Sequence, residues 1–336
     1  MVSNEVVVMG VRNFDVLPWV WTTVDEIRGK MAIDMPNYMT RRMSVIRKTD
    51  TRNGRIPLEH LRIGLGLIVM ALRTGILPVM IFDGPPETLK RAPNPDLIRR
   101  AHDLYCSFLR SGERFDQDVS SDLMQSPALR MYFALEHVRN LATAAGIPTC
   151  TAPSEAEMLA AALCRESLVR TVASTDADAL LFGSPHMTGQ MLLSRGRICR
   201  ATLDDLETTL NLGLDQLRDL AVMCGCDFHK EGLRGVGPRR GAVLLKRHGN
   251  LDGVLRARGC GPKEREEFRR AREMFDEACR ISLRGVNLTI RPPITSRIIS
   301  TLIPAIGSDK SETVAERTVK AWREFRNVQA TLEQWV

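Results

Sequence analysis

The sequence predicts an α/β protein: a mostly parallel central sheet with helices on both faces. Three short β-rich runs, Met31–Asp34, Val79–Asp83 and Val172–Asp176, each end in an acidic residue. Helical stretches at residues 58–74 and 128–145, with apolar residues three and four positions apart, lie between them. Strands that alternate with helices in this way build an open sheet covered on both sides. In such sheets ligands sit outside the carboxyl ends of the strands, which is where Asp34, Asp83 and Asp176 fall.

A chain of 336 residues is long for one core, so a main domain with an appended one or large insertions is expected. At 44% hydrophobic and 26% charged, the composition is that of a soluble globular protein rather than a fibrous or disordered one. The formal charge of +7 favours an anionic partner without identifying it. None of the eight cysteines forms a CxxC pair, and Cys224-Gly-Cys226 is too tight for half of a zinc site. They read as small buried residues in a reducing compartment. The start, MVSNEVVVMG, lacks a basic leader, and the apolar run Gly64–Leu72 is far too short to cross a bilayer. A soluble intracellular protein is expected.

Residues 91–127 open Arg-Ala-Pro-Asn-Pro, continue as a short amphipathic stretch and become the polar run SGERFDQDVSSDLMQSP, which suggests an inserted helical cap with a mobile loop. After residue 201 the pattern is mostly helical, with Gly-Pro punctuation at 235–238 and 259–262. Residues 290–312 are weakly patterned, and a short helical tail is expected beyond them.

The chemistry resides in acids. Phosphodiester hydrolysis needs an anionic substrate neutralised and water activated, which two divalent ions about 4 Å apart do together. Magnesium takes oxygen ligands, so such centres are built from Asp and Glu. Glu155 and Glu157 follow Pro153-Ser154 into the first turn of a helix, where the helix dipole favours their charge; alone they also read as a capping box with Ser154. Asp176 and Asp178, two apart in extended chain, would point to one side and address one ion. Singly, Asp34 reads equally as a helix N-cap, Asp83 as a turn starter and Asp227 as a surface acid. Together, seven like charges at element ends need cations to coexist.

The runs VMIFDGPPETLK, GIPTCTAPSEAEMLAAAL, VRTVASTDADALLFGSP and LAVMCGCDFHKEGLRGVGPRRGAVLLKRHG resemble the signature blocks of the flap endonuclease (XPG-type 5′ nuclease) family. The resemblance implies that Asp34, Asp83, Glu155 and Glu157 serve a first metal site. Asp176, Asp178 and Asp227 would serve a second, with Glu157 bridging. Lys90, seven residues after Asp83, matches the family's catalytic lysine, while Leu97 stands near the second basic position, so Arg99 or Arg100 would take that role. Gly235-Val-Gly237-Pro matches a helix–hairpin–helix element that holds duplex phosphates, aided by Arg239, Arg240, Lys246 and Arg247 and by a bridging K⁺. Gln329, Leu332, Trp335 and Val336 resemble the peptide that binds the sliding clamp (PCNA).

There are departures. Thr40 stands where the family stacks a base on tyrosine, and Tyr38, two positions away on a helix, would point nearly the opposite way. In the cap, Glu113, Asp116, Asp118 and Asp122 dilute Arg110 and Arg114. Gly10 matches the family's usual start, so residues 1–8 read as an extension, and the short Gly10–Asp34 spacing looks archaeal.

The expected organisation is a nuclease domain in two parts (1–90 and 134–230), a cap (91–133), a helix–hairpin–helix region (231–290), a C-terminal segment (291–328) and a clamp peptide (329–336). The expected activity is Mg²⁺-dependent, with Mn²⁺ able to substitute: a monomer cleaving branched double-stranded DNA at a 5′ single-stranded arm in replication and repair, with 5′→3′ exonuclease action beside it. The alternatives are a sister Holliday-junction or RNA-cutting nuclease, or a non-catalytic clamp partner. An archaeal source implies the cytoplasm and nucleoid, a eukaryotic one the nucleus.

Overall fold

The computed structural model describes residues 16–44, 59–84 and 127–333, with seven positions of the inserted segment: 96, 99, 100, 102, 103, 106 and 107. Seven strands form one sheet: β1 (Val20–Thr23), β2 (Gly29–Asp34), β3 (Ile76–Phe82), β4 (Thr149–Thr151), β5 (Thr171–Ala173), β6 (His186–Leu192) and β7 (Arg197–Thr202). Their order is β1-β7-β6-β5-β2-β3-β4. The five from β6 to β4 run parallel, and β7 pairs antiparallel with both β6 and β1. The three strands expected from the sequence are the central neighbours β5, β2 and β3. The remaining strands, flanking or at the edge, have weaker patterns: β6 mixes Gln190 and Gly189 with apolar residues, and β1 is largely exposed.

Alternation along the central strands divides the core into two layers. Met31 and Ile33 of β2, with Met80 and Phe82 of β3, face one layer; Ala32, Val79 and Ile81 face the other. The first layer is covered by α1 (Met35–Ser44), α2 (Glu59–Arg73) and α3 (Pro127–Ala144). The second lies under α4 (Ala156–Arg165), the single turn α5 (Asp178–Leu181), α6 (Leu203–Leu210) and α7 (Leu214–Cys224). Beyond α7, helices α8 (Pro238–His248), α9 (Leu251–Ala257) and α10 (Pro262–Ala278) extend that layer.

The C-terminal segment is more ordered than its sequence suggests. Helices α11 (Thr295–Ile306) and α12 (Ser308–Glu333) pack on α2 and α3, so residues 290–312 are largely helical and the tail is 26 residues long. The buried stripe of α12 is Ser311, Ala315, Thr318, Ala321 and Phe325, and hydropathy does not mark it. The Ser311 and Thr318 hydroxyls donate to the carbonyls four residues back, which lets them be buried. Gly307, at φ +80, separates the two helices. All eight cysteines are free. Among the described residues, no helix is long and apolar enough to cross a membrane.

Candidate active site

The parallel register sets the site. Asp34 pairs with Ile81, and Phe82 with Thr151, so Asp34, Asp83 and the start of α4 come to one end of the sheet. Each acid there also does local backbone work. Asp34 Oδ1 accepts from the Asn37 N–H at 3.0 Å in the first turn of α1, and its Oδ2 accepts from Ser174 Oγ at 3.2 Å. Asp83 Oδ1 accepts from the Ala156 N–H at 2.9 Å, the first residue of α4. Helix N-termini leave such donors open, and these carboxylates take them.

Glu155 is itself the N-cap residue of α4 (φ −94, ψ 142), and Glu157 lies in the first turn. The capping box with Ser154 does not form: Ser154 precedes the cap, and its buried hydroxyl has no partner. Asp176 and Asp178 are not in extended chain either. Ala177 between them is helical (φ −61, ψ −22), and Asp178 opens α5 with its N–H on Asp176 Oδ1 at 3.1 Å. A tight turn, not a pleat, brings the two carboxylates together.

One carboxylate oxygen from each of Glu157, Asp176 and Asp178 lies within 4.8 Å of the others. Electrostatic contact links Asp83 to Asp34, Glu155 to Glu157, and Asp227 to Asp176, so all seven acids form one connected field. Burial, then repulsion from Asp83, pushes Asp34 up to about 7, against the lowering effect of the Asn37 N–H and Ser174 hydroxyl that it accepts. Burial, and then Asp176, raises Glu157 well above the usual carboxylate range; burial and then Asp178 does the same to Asp176. Glu157 Oε2 is buried with no hydrogen-bond partner. An all-oxygen donor set, mutual repulsion and an orphaned buried oxygen fit a hard divalent cation.

Supporting residues lie outside the expected acids. Ser174 Oγ accepts from the Asp176 N–H at 3.1 Å while donating to Asp34, tying the two acids together. Asn37 Oδ1 accepts from Thr175 N–H and Oγ. The polar run Ser174-Thr175 at the end of a buried strand was the one available sign of them. Arg139 of α3 lies 4.4 Å over the ring of Phe82, next to Asp83.

Lys90 lies outside the described residues. Arg99 and Arg100 are exposed, and Arg99 pairs with Asp96 at 3.5 Å. Gly235 takes a left-handed conformation (φ +72), Gly237 is the N-cap of α8 and Pro238 its first residue. Arg239, Arg240, Lys246 and Arg247 are exposed, and the Arg240 guanidinium turns back onto the Gly235 carbonyl at 3.2 Å. Thr40 is exposed, whereas Tyr38 packs against the core with Arg42 5.5 Å over its ring. Gln329 and Leu332 fall within α12, and Trp335 and Val336 lie outside the described residues.

Residues 146–227, which carry five of the seven acids, match the XPG I-region family. Flap endonuclease 1 of Methanothrix thermoacetophila is 30% identical over 349 residues, covering 98% of this chain and 100% of that protein. The solved flap endonuclease-1 from Methanococcus jannaschii superposes with a TM-score of 0.68 at 24% identity, covering 93% of this chain and 98% of that one. The catalytic core of Rad2 in complex with a DNA substrate gives 0.63 at 21% identity, covering 91% and 98%.

Proposed function

The chain belongs to the flap endonuclease family, and on that premise we propose that it is a structure-specific endonuclease acting on branched DNA with a 5′ single-stranded arm, in replication and repair. The observation that supports this most is the meeting of Glu157, Asp176 and Asp178 oxygens at the carboxyl end of a parallel sheet. Exonuclease action from a 5′ end uses the same site.

Two Mg²⁺ ions, with Mn²⁺ as substitute, would supply charge neutralisation and water activation there. Asp34, Asp83, Glu155 and Glu157 would hold one, and Asp176, Asp178 and Asp227 the other, Glu157 serving both. Burial and mutual repulsion raise Asp34, Glu157 and Asp176 above the usual carboxylate range, a penalty that a bound divalent cation would relieve. Lys90, with Arg99 or Arg100, would offset charge on the scissile phosphate. Arg239, Arg240, Lys246 and Arg247 would hold the duplex by its phosphates, the Gly235 and Gly237 turn letting the backbone approach. A K⁺ held at the Gly235–Gly237 hairpin would add positive charge toward the duplex phosphates. The protein would act as a monomer, recruited by the sliding clamp through Gln329, Leu332, Trp335 and Val336, in the archaeal nucleoid or the eukaryotic nucleus.

The deciding experiment maps cut sites on end-labelled flap, gap, bubble and four-way DNA with and without Mg²⁺. Mg²⁺-dependent incision at the flap junction is expected. Preferential cutting of four-way DNA, or none of the flap, would overturn the reading. Deleting residues 329–336 should leave unassisted cleavage intact and remove stimulation by the clamp.

A further inference from the structure

The one-turn helix α5 carries Asp178 at its start and follows Asp176 directly. A helix of four residues cannot hold itself, because nucleation costs more than one turn of hydrogen bonds returns. The N–H groups of Phe182, Gly183 and Ser184 take the carbonyls of Asp178, Leu180 and Ala179, which leaves those of Leu181 and Phe182 without a backbone donor from a following turn. Here three side chains from elsewhere take them. Arg218 Nε donates to the Leu181 carbonyl at 2.8 Å, and Arg165 Nη1 and the Cys279 thiol donate to the Phe182 carbonyl at 3.1 and 3.5 Å.

Arg218 is the buried member of that group, 8% exposed, and it uses all three guanidinium nitrogens. Nη1 pairs with Asp215 at 3.2 Å and Asp276 at 3.5 Å, and Nη2 reaches Cys279 Sγ at 2.9 Å. Arg272 braces both acids, at 2.9 Å to Asp215 and 2.7 Å to Asp276, and adds Asp219 at 3.0 Å. Asp219 Oδ2 in turn accepts from the Leu251 N–H at 2.8 Å, at the start of α9. A buried cation is costly unless saturated in this way. The arrangement runs unbroken from α9, through α7 and α10, to the turn that bears Asp178.

We infer that Arg218 is a positioning residue. It seats α5 through the Leu181 carbonyl and so holds Asp176 and Asp178 where their oxygens meet that of Glu157. A planar fork is required, since a lysine ammonium cannot reach the carbonyl, the acids and the thiol in one geometry. The inference rests on the proposed metal role of Asp176 and Asp178.

The test uses the full chain as Arg218→Met and Arg218→Lys, with Arg269→Gln as a remote control; Arg269 pairs with Asp252 and Glu266 near the surface of α10. Mn²⁺ affinity of the DNA-free protein is read by electron paramagnetic resonance, and kcat and KM separately on a 5′-flap duplex in saturating Mg²⁺. R218M should lose roughly tenfold or more in both Mn²⁺ affinity and kcat, with KM within about twofold. R218K should recover part of each loss, and R269Q should match the parent protein. Parental Mn²⁺ affinity and kcat in R218M, or a loss confined to KM, would overturn the inference. If circular dichroism shows R218M unfolded, R218K decides by the same readouts, and parental values there overturn it. Failure of the parent itself to bind Mn²⁺ would instead refute the metal-centre reading, and this inference with it.

Discussion

Asp83 Oδ1 accepts the Ala156 N–H at 2.9 Å, so the end of β3 is locked to the start of α4 between Glu155 and Glu157. The closeness depends on Gly84. A Cβ there would sit 2.1 Å from the Ala152 carbonyl oxygen and 2.8 Å from that of Pro153, both backbone atoms that cannot swing away. The Gly84→Ala variant should therefore separate the two elements and move Asp83 off α4. Destabilisation of roughly 2 kcal/mol is expected in urea, with at least about a tenfold loss in single-turnover cleavage. Parental stability and rate would show that the segment yields without moving the site.

Asp178→Ala should abolish cleavage of flap DNA, by on the order of a thousandfold or more, while leaving binding largely intact. Gel-shift affinity and cleavage rate, measured side by side, check this. Cleavage at the parental rate would remove Asp178 from the metal centre.

Asp34, raised from 3.8 to about 7, binds its proton more tightly folded than unfolded. Between those values the native state holds more protons, so this group's contribution makes the metal-free protein less stable as pH rises through the window. A divalent ion competes with that proton, so its affinity should rise with pH over the same range. The Tm gain from adding Mg²⁺ to EDTA-treated protein should thus be larger at about pH 8 than at about pH 5. An equal or reversed gain would contradict the assignment.

His60 Nε2 and His137 Nδ1 lie 3.0 Å apart in the core between α2 and α3. Burial lowers His137 from 6.5 to about 4. Between those values the unfolded chain takes up the proton more readily, so stability is lost as pH falls from about 6.5 toward about 4. His137→Asn should flatten that part of the pH–stability curve. An unchanged slope would mean that other groups set the acid limit.

Arg239→Ala and Lys246→Ala should each weaken duplex binding. Each should also lower the slope of log K against log salt by about one, if each contacts one phosphate. Fluorescence anisotropy across a salt series measures this, and kcat at saturating DNA should stay near the parental value. An unchanged slope would place the duplex elsewhere.

Much of the fold and the acids could be read locally. A strand that ends in aspartate and a helix that opens on Glu-Ala-Glu are short-range patterns, and periodicity located α2 and α3 almost to the residue. The β1, β6 and β7 region was harder, since its strands are partly exposed or interrupted by small and polar residues. A helical tail was legible, but the 26-residue extent of α12 was not, because most of its buried face is hydroxyls and alanines whose burial follows from what they pack against.

The sequence by itself determined which residue types stand at the ends of which elements: seven carboxylates, the hairpin glycines and the basic residues after them. Tertiary structure alone decided how those groups meet. Parallel register sets Asp83 against Ala156, Ser174 ties Asp34 to Asp176, and Arg218 supports a turn too short to stand alone. The physical reason is range. Hydropathy and capping depend on neighbours a few residues away, whereas the connected carboxylate field and the donors that hold it join segments up to 140 residues apart in the chain.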